Sequence, residues 1–392
     1  MIGIKRNPSF WTFPERGVAS GRPGLNLSVH GARGLFSALV FAFHVANSGL
    51  ATFYPADHWL AVYLFGSLKY GVELFFGISG FVIVGALARA PSLRAFAWDR
   101  ATRIYPLLWT TLLVITALSL ATRHWVPPFT DWLLNFLAPP PVYDLPQVNP
   151  AAWSLGYEVS FYALAALCWY AGRRGWRWRP VAGIVGALLI AVLPRALLMP
   201  AGVLIAAGML DRRLLVRLAA VPGFWLVAFL LLWRCTELRV PDGDIMLLTP
   251  FRMGVAAWAA VLPLMLATGA AGWIALLGIA RERGLLCALL RSPPFQWLGT
   301  ISYSFYLWHP VVMAPIKAAL IASGLAAALG PAAQLVFAVV ALLPALVVAH
   351  FSQIWIERRL TRWLRRHGPR EDRGAAPVTS VVSAHGAESG RS

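Results

Sequence analysis

Residues 31–50 read GARGLFSALVFAFHVANSGL, an apolar stretch in which Arg33 and His44 are the only ionisable side chains. A helix of about 20 mostly apolar residues is long enough to cross the hydrocarbon core of a bilayer. Further apolar stretches along the 392 residues predict spans at 67–88, 104–121, 152–171, 180–194, 199–210, 218–234, 251–272, 301–322 and 332–356. The sequence therefore predicts an all-α polytopic membrane bundle of about ten transmembrane helices.

The overall composition also indicates a membrane protein. Hydrophobic residues make up 59% of the chain and charged residues only 13%, whereas about a quarter of a soluble protein is charged. The net charge is +18, and the basic residues lie in short clusters between the apolar runs. This pattern is typical of cytoplasmic loops. It does not resemble a basic nucleic-acid groove, so we expect no nucleic-acid partner.

The distribution of Lys and Arg predicts the orientation. With the N-terminus inside, 27 of these residues fall in the inside segments and 7 on the other side. Because cytoplasmic loops carry the excess of positive charge, both termini are predicted to be cytoplasmic. We expect a flexible cytoplasmic arm over 1–30, a transmembrane domain over 31–357, and a basic, largely disordered cytoplasmic tail over 358–392.

Arg33 and His44 are ionisable residues within a predicted span. They lie eleven positions apart, almost three helical turns, so both face the same side of the helix with a rise of about 16 Å. Taken singly, Arg33 is equally typical of a membrane-edge anchor and His44 of a packed, hydrogen-bonded histidine. Since charge inside the membrane is costly, the pair on one face is a candidate functional site.

Two carboxylates lie in other predicted spans. Glu73 occurs in the sequence GVELFFGISGF at 71–81, and Glu158 ends the sequence WSLGYE that begins at Trp153. A carboxylate among apolar side chains needs a partner or a raised pKa. Gly77 and Gly80 favour close helix packing over ligand contact.

The loop before the third span carries Arg94, Arg100 and Arg103. Arginine binds phosphate groups with paired hydrogen bonds. These side chains are therefore candidates for binding either anionic lipid headgroups or a phosphate-bearing substrate.

Other features carry less chemistry. Glu357 closes the tenth span beside Arg358 and Arg359, and we expect a simple ion pair there. The histidines lack the paired spacing of zinc ligands, so no metal site is expected. The chain contains no phosphate-binding loop, nucleophile elbow or dinucleotide-binding motif.

Five blocks together resemble the acyltransferase 3 family of bacterial membrane acyltransferases, over about residues 30–357. Two positions differ from many relatives: Glu73 stands where an Asp is common, and Val159 follows Glu158 in place of a second acidic residue. The matching blocks are Arg33 with His44, Gly71–Phe76 with Ser79–Phe81, Arg100–Pro106 with Leu107–Trp109, Trp153–Glu158 with Phe161 and Tyr162, and Ser302–His309.

The resemblance implies an activity and a location. Members of this family transfer an acyl group, usually acetyl, from acyl-coenzyme A to a hydroxyl of a carbohydrate or similar acceptor. The expected partners are therefore membrane lipids, acyl-coenzyme A as co-substrate without a bound cofactor, and a glycan acceptor. The expected location is the bacterial inner membrane. The Arg33/His44 pair is the family's catalytic signature.

These arguments define a hypothesis for the site. His44 acts as general base on the acceptor hydroxyl or takes the acyl group itself. A carboxylate would orient it, with Glu158 preferred and Glu73 the second choice. The predicted substrate-binding residues are Arg94, Arg100, Arg103, Tyr105, Trp153, Ser154, Tyr303 and His309.

Two other classes stay open at the level of sequence. A transporter or flippase for a glycan precursor would use the intramembrane charges as a translocation path. A structural subunit of an envelope polysaccharide assembly would not need His44. The sequence does not predict an oligomeric state.

Overall fold

The computed structural model describes residues 26–55, 58–123, 126–139, 141, 145–174, 178–240 and 250–368. Every regular element within these ranges is helical, which confirms the all-α prediction for the described part of the chain. The α-helices are α1 (Leu27–Ala46), α2 (Trp59–Ser67), α3 (Gly71–Arg89), α4 (Leu93–Ala121), α5 (Phe129–Asn135), α6 (Trp153–Arg173), α7 (Trp178–Val192), α8 (Leu198–Ala206), α9 (Arg213–Leu218), α10 (Pro222–Glu237), α11 (Pro250–Met253), α12 (Val255–Ala280), α13 (Gly284–Leu290), α14 (Pro293–Ala322), α15 (Leu325–Leu329), α16 (Ala333–Ser352) and α17 (Thr361–Arg366).

Short tight helices and one wide helix join some of these elements. A 3₁₀ turn connects α2 to α3, another precedes α8, and a third lies between α15 and α16. A π-helix, Gln353–Leu360, connects α16 to α17. These connections join neighbouring helices into longer continuous helical stretches.

Within the described residues, six helical stretches are long and apolar enough to cross a membrane. The other four predicted spans fall on α6, α7, α8 and α10, which are shorter or less apolar. The described chain is thus built as a multi-pass bundle, and the count of ten spans stays a prediction. The six stretches are Leu27–Ala46, Trp59–Arg89, Leu93–Ala121, Val255–Ala280, Pro293–Ala322 and Leu325–Arg366.

The first helix begins at Leu27, four residues before the predicted start of the span. Asn26 caps it, because its side chain accepts a hydrogen bond from Val29 N at 2.8 Å and donates to Ala280 O at 2.7 Å. Such a cap satisfies backbone groups that a helix start leaves unpaired. The rest of the predicted N-terminal arm, residues 1–25, lies outside the described residues.

The last helix continues beyond the predicted domain boundary at 357. It runs through the π-helix to Arg366, and Thr361 Oγ1 donates to Thr102 O of α4 at 3.0 Å. The first part of the predicted tail is therefore packed against the bundle. Residues 369–392 of that tail lie outside the described residues.

Glycines allow two pairs of helices to touch through their backbones. A Cβ atom on Gly299 of α14 would lie 2.3 Å from His30 O of α1. A Cβ on Gly80 of α3 would lie 2.0 Å from Met199 O of α8. Both distances are well inside van der Waals contact, so only glycine fits. The packing role predicted for Gly80 is confirmed, and the α1–α14 contact holds Arg33 close to α14.

The described part of the segment between α4 and α6 is fastened by buried asparagines. Asn149 donates to Leu307 O of α14 at 3.1 Å and to Thr111 Oγ1 at 3.2 Å. The Asn135 side chain accepts from Val148 N at 3.0 Å. Because buried amides are costly unless paired, these bonds fix the segment on the bundle.

Candidate active site

A narrow cavity of about 70 Å³ lies inside the bundle between α1, α3, α4, α6 and α14. We call it the inner cavity. Six of the twelve predicted site residues face it. Its walls are formed by Arg33, Val72, Phe75, Phe76, Ile78, Ser79, Val82, Arg100, Arg103, Ile104, Ser154, Leu155, Glu158, Tyr162, Ser302, Tyr303 and Tyr306.

A wider cavity of about 560 Å³ adjoins it, on the side predicted to be cytoplasmic. We call it the outer cavity. Arg33 and Arg103 line both spaces, so these two side chains form a neck between them. The outer cavity is lined by His30, Arg33, Arg103, Gly299, Thr300, Glu357, Arg358, Thr361, Arg362 and Arg365.

The neck arginines face two glutamates across the cavities. Arg33 and Arg103 both interact electrostatically with Glu158 and Glu357. Neither guanidinium forms an ion pair within 4.0 Å or a hydrogen bond among the described residues. Their donor groups are thus available to an anionic ligand, which arginine binds with paired hydrogen bonds.

Glu158 is anchored in the wall of the inner cavity. It accepts hydrogen bonds from Ser79 Oγ at 3.1 Å and from the hydroxyl of Tyr162. Its partners are therefore hydroxyl groups within the cavity. The predicted pairing of Glu158 with His44 is absent, since that carboxylate faces the neck arginines.

Glu73 also has a partner other than His44. Arg195 Nε donates to Glu73 Oε1 at 2.6 Å, and both side chains are nearly buried. The Arg195 guanidinium lies 3.8 Å from the ring centroid of Trp153. Arg195 lies just before α8. Because α8 packs closely on α3, Arg195 is held next to Glu73 and neutralises its charge. The second-choice orienting carboxylate is thus committed to a structural ion pair.

His44 lies in the last turn of α1, at the opposite end of that helix from Arg33. Its ring centroid is 5.1 Å from that of His309 on α14. His309 is fully buried, with Nδ1 3.1 Å from Phe305 O. A carbonyl can only accept, so Nδ1 carries the proton and leaves Nε2 as an acceptor. That Nε2 has no partner among the described residues. The polar neighbour of His44 is therefore a histidine.

The histidine pair lies directly behind the wall of the inner cavity. Tyr306 lines that cavity, and its ring centroid lies 6.0 Å from that of His309. Its hydroxyl is 3.0 Å from Ser154 Oγ. Tyr303 also faces the cavity and donates to Ile104 O at 2.8 Å. Tyr306 thus separates the cavity from the two histidines.

The remaining predicted substrate-binding residues lie outside both cavities. Arg94 is exposed on the surface. Tyr105 donates to Leu137 O at 3.1 Å, and Trp153 packs under Arg195. Arg100 does reach the inner cavity, but its guanidinium is paired with Asp99. The structure therefore brings Arg103, rather than Arg94, next to Arg33.

Glu357 was expected to form an interface ion pair with its neighbours in sequence, and this expectation is wrong. Its carboxylate accepts from Ser304 Oγ at 2.5 Å and from Ser304 N at 3.2 Å, and it faces the outer cavity. Glu357 lies in the π-helix, whose wider turns change the direction of the side chains, and such turns are frequent at functional sites. The α-helical period of 3.6 residues per turn, which we assumed for the sequence, could not predict the direction of the Glu357 side chain.

No group of three or more potential metal ligands occurs among the residues that the structure describes. The chemistry of the cavities rests on guanidinium, carboxylate, imidazole and hydroxyl groups.

The fold and the two cavities define a class: a multi-pass membrane protein whose helix bundle contains a partly polar cavity with two arginines at its entrance. Residues 26–350 match the model of the acyltransferase 3 family, described as an acyltransferase domain. The match covers most of the chain. The chain therefore belongs to the acyltransferase 3 family and is a membrane acyltransferase.

One similar protein is the exopolysaccharide production protein ExoZ of Rhizobium meliloti (strain 1021). It is 30% identical over 309 residues, which cover 74% of this chain and 89% of the relative. No solved structure matches the chain.

Proposed function

We propose that the protein is a bacterial inner-membrane O-acyltransferase that transfers an acyl group, in the first place acetyl, from acyl-coenzyme A to a hydroxyl of a carbohydrate. Exopolysaccharide or lipopolysaccharide units are the proposed acceptors, and the similarity to a protein of exopolysaccharide production supports that class. The proposal rests mainly on Arg33 and Arg103. These two arginines lie at the neck between a wide and a narrow cavity and form no ion pair within 4.0 Å among the described residues.

Ten spans with both termini in the cytoplasm belong to the same proposal, with a membrane domain over 31–357 between cytoplasmic segments 1–30 and 358–392. Contacts between loops support this map, because each joins segments assigned to the same side. On the inside these are Asp211 with Arg281, Asn26 with Ala280 and Asp99 with Arg365; on the outside, Lys69 with Glu237 and Ser48 with Lys317.

The neck arginines would hold the donor where its charged and uncharged parts meet. The phosphates stay in the outer cavity, and the pantetheine arm carries the thioester past Arg33 and Arg103. The acyl group then enters the inner cavity beside Tyr303 and Tyr306. Arg33 and His44 are about 16 Å apart along α1, which an extended linear arm can span.

The Tyr306 side chain separates this cavity from the histidine pair, so the proposed step requires it to move aside. His44 would then act as general base. It takes the proton of the acceptor hydroxyl while that oxygen attacks the thioester carbonyl carbon. The carbon–sulfur bond breaks, the ester forms, and the imidazolium returns the proton to the departing thiolate. His309 Nε2, an unpaired acceptor, can take a hydrogen bond from His44 and so fix its tautomer after a small rotation. This assigns to His309 the orienting role first expected of a carboxylate.

The test is acetyl transfer by the protein reconstituted in liposomes with acetyl-coenzyme A and envelope glycans. Because a general base contributes about 10²–10⁴ in rate, His44→Ala should lose at least a hundredfold in coenzyme A release. His350→Ala, a histidine packed against Trp297 in another part of the bundle, is the matched control and should keep its activity.

Two results would contradict the proposal. Normal transfer by correctly inserted His44→Ala protein would remove the mechanism. Movement of a glycan precursor across the bilayer without coenzyme A release would favour the transporter class.

A further inference from the structure

The helix that closes the chain carries a row of arginines along the outer cavity. Arg358, Arg362 and Arg365 follow one another at intervals of four and three residues, which keeps them on one side of the helix. Arg359 points elsewhere, with its guanidinium 3.9 Å from the ring centroid of Trp355. Arg366, the last residue of α17, does not line the cavity either. One face of this helix is thus directed at the cavity.

The charge in this cavity is strongly unbalanced. Among the described residues, five arginines and one carboxylate, Glu357, line it, and Glu158 faces the two neck arginines from the inner cavity. Arg365 is paired with Asp99 at 2.7 Å, whereas Arg358 and Arg362 form no ion pair among the described residues. Like charges four residues apart oppose helix formation. A row of them around a concave space is stabilised when a ligand supplies several negative charges.

The arginine row is also held in place. Arg362 Nε donates to Arg358 O at 3.0 Å, which keeps its side chain along the helix. Thr361 Oγ1 donates to Thr102 O, and Arg365 Nε lies 3.4 Å from Thr102 Oγ1, so the helix is fixed on α4 beside the neck. A positioned set of guanidinium groups loses less side-chain entropy when it binds an anion.

We propose that this row binds the phosphorylated nucleotide end of the acyl-coenzyme A donor, with Arg358 and Arg362 in contact with its phosphate groups. The proposal rests on the proposed function and adds a site outside the five blocks that resemble the family. A volume of about 560 Å³ suits a ligand of that size. The outer cavity shares Arg33 and Arg103 with the inner cavity, so a nucleotide held here would direct its thioester arm towards the neck.

A lipid headgroup offers the same phosphate chemistry, but the site favours the nucleotide. A phospholipid would bring two acyl chains, whereas the lining is made of arginine, threonine, histidine and glutamate with one glycine. None of these described side chains is apolar enough to receive the chains.

The experiment compares two double variants in nanodiscs made only of zwitterionic lipid. Arg358→Gln with Arg362→Gln removes the cavity-facing charges. Arg359→Gln with Arg366→Gln removes the same number of charges from the same helix and is the matched control. We measure the Kd of coenzyme A and of dephospho-coenzyme A, and the rate of acetyl transfer from acetyl-coenzyme A and from S-acetylpantetheine, which lacks the nucleotide.

The cavity-facing variant should bind coenzyme A about 30-fold more weakly or worse, since two charge-assisted contacts are lost. It should also lose the wild-type preference for coenzyme A over dephospho-coenzyme A. Its transfer from S-acetylpantetheine should equal that of the wild type, which shows that the protein is folded. The control variant should bind coenzyme A normally.

Unchanged coenzyme A affinity in the cavity-facing variant would overturn the inference, as would an equal loss in the control. In a second set of nanodiscs that contain phosphatidylglycerol, weakened binding of that lipid to the cavity-facing variant with coenzyme A affinity intact would also overturn it, because the site would then be a lipid site. If the wild type binds coenzyme A through this row but transfers no acetyl group, the inference stands and the proposed function fails.

Discussion

Arg33 and Arg103 are placed where a charged side chain is costly, yet each belongs to a balanced set. Their two guanidinium groups face Glu158 and Glu357 without direct contact, so these four side chains together carry no net charge. Charges within a bundle persist when opposite charges neutralise them. The two glutamates neutralise the arginines when no ligand is bound. Because they do not hydrogen-bond to the guanidinium N–H groups, those groups stay available to a ligand.

Glu357 is the member of this set with no assigned role in the sequence motifs. Glu357→Gln keeps its shape and the hydrogen bonds with Ser304 but removes the charge opposite the neck arginines. We expect kcat/KM for acetyl-coenzyme A to fall about tenfold, equivalent to about 1.4 kcal/mol. Steady-state kinetics in liposomes measure the effect.

Glu282→Gln serves as the control. This glutamate lies at the bundle surface, 4.0 Å from Arg291, and its Oε1 accepts a hydrogen bond from Ser28 N at 3.3 Å that a glutamine oxygen can keep. Wild-type kinetics for Glu357→Gln would show that the glutamate is only a packing residue.

His309 is a positioning residue in the proposed mechanism, because it acts through His44. His309→Gln retains an acceptor but changes its position, so kcat should fall about tenfold or more with KM for acetyl-coenzyme A unchanged. A merely structural defect would lower the amount of folded enzyme, but the enzyme that still folds would have the wild-type kcat. An unchanged kcat per active site would contradict the role.

At this scale the sequence predicts some neighbours and misses others. Spacing along one helix places Arg33 and His44 on one face, and matching blocks indicate that Arg103, Glu158 and Tyr303 share a site. Partners across helices follow from helix rotation and depth, which a linear pattern does not contain. For this reason Glu158 was expected beside His44, whereas the residue found there is His309.

At the scale of helices, the contact between α1 and α14 sets the position of the neck. Gly299→Ala would place a methyl carbon 2.3 Å from a backbone oxygen of α1, so the two helices must separate. Overpacking of this kind costs about 1–3 kcal/mol. We expect a lower Tm in detergent and reduced acetyl transfer, measured by thermal unfolding followed by fluorescence.

Gly183→Ala is the control for that substitution. It lies in α7 with nothing within 4 Å of the added carbon, so a helix-favouring alanine should be neutral or stabilising. Equal Tm values for wild type and Gly299→Ala would show that the contact yields easily.

The elements differ in how far the sequence determines them. Apolar runs predicted the existence of the long helices, because burial in lipid requires continuous helical hydrogen bonding. Their ends were displaced by several residues, as at Leu27 and Arg366, because caps and packing decide where a helix stops. The π-helix at 353–360 was not predictable, since its extra residue per turn is stabilised by contacts with α4 and α14.

For the whole molecule, the proposed orientation predicts which surfaces are accessible from outside the cell. In a variant whose three cysteines are replaced by serine, Arg239→Cys should react with a membrane-impermeant maleimide in intact cells. Arg212→Cys should react only after the membrane is opened. Both positions are exposed in the structure, so the difference reports sidedness alone. Labelling of both in intact cells would contradict an orientation with both termini inside.

From the narrowness of the inner cavity we expect the enzyme to select the acyl group of its proposed donor by size. At about 70 Å³, and with roughly 10–15 Å³ needed per water molecule, the cavity has room for about five to seven waters. A two-carbon acetyl group would fit in the volume that becomes free when it displaces those waters. A long fatty chain would have to displace tightly packed side chains, and each added methylene would be resisted by the surrounding helices. We therefore expect the geometry of the bundle, without any contact specific to the acyl group, to favour short acyl groups over lipid-type ones in an enzyme that is itself surrounded by lipid.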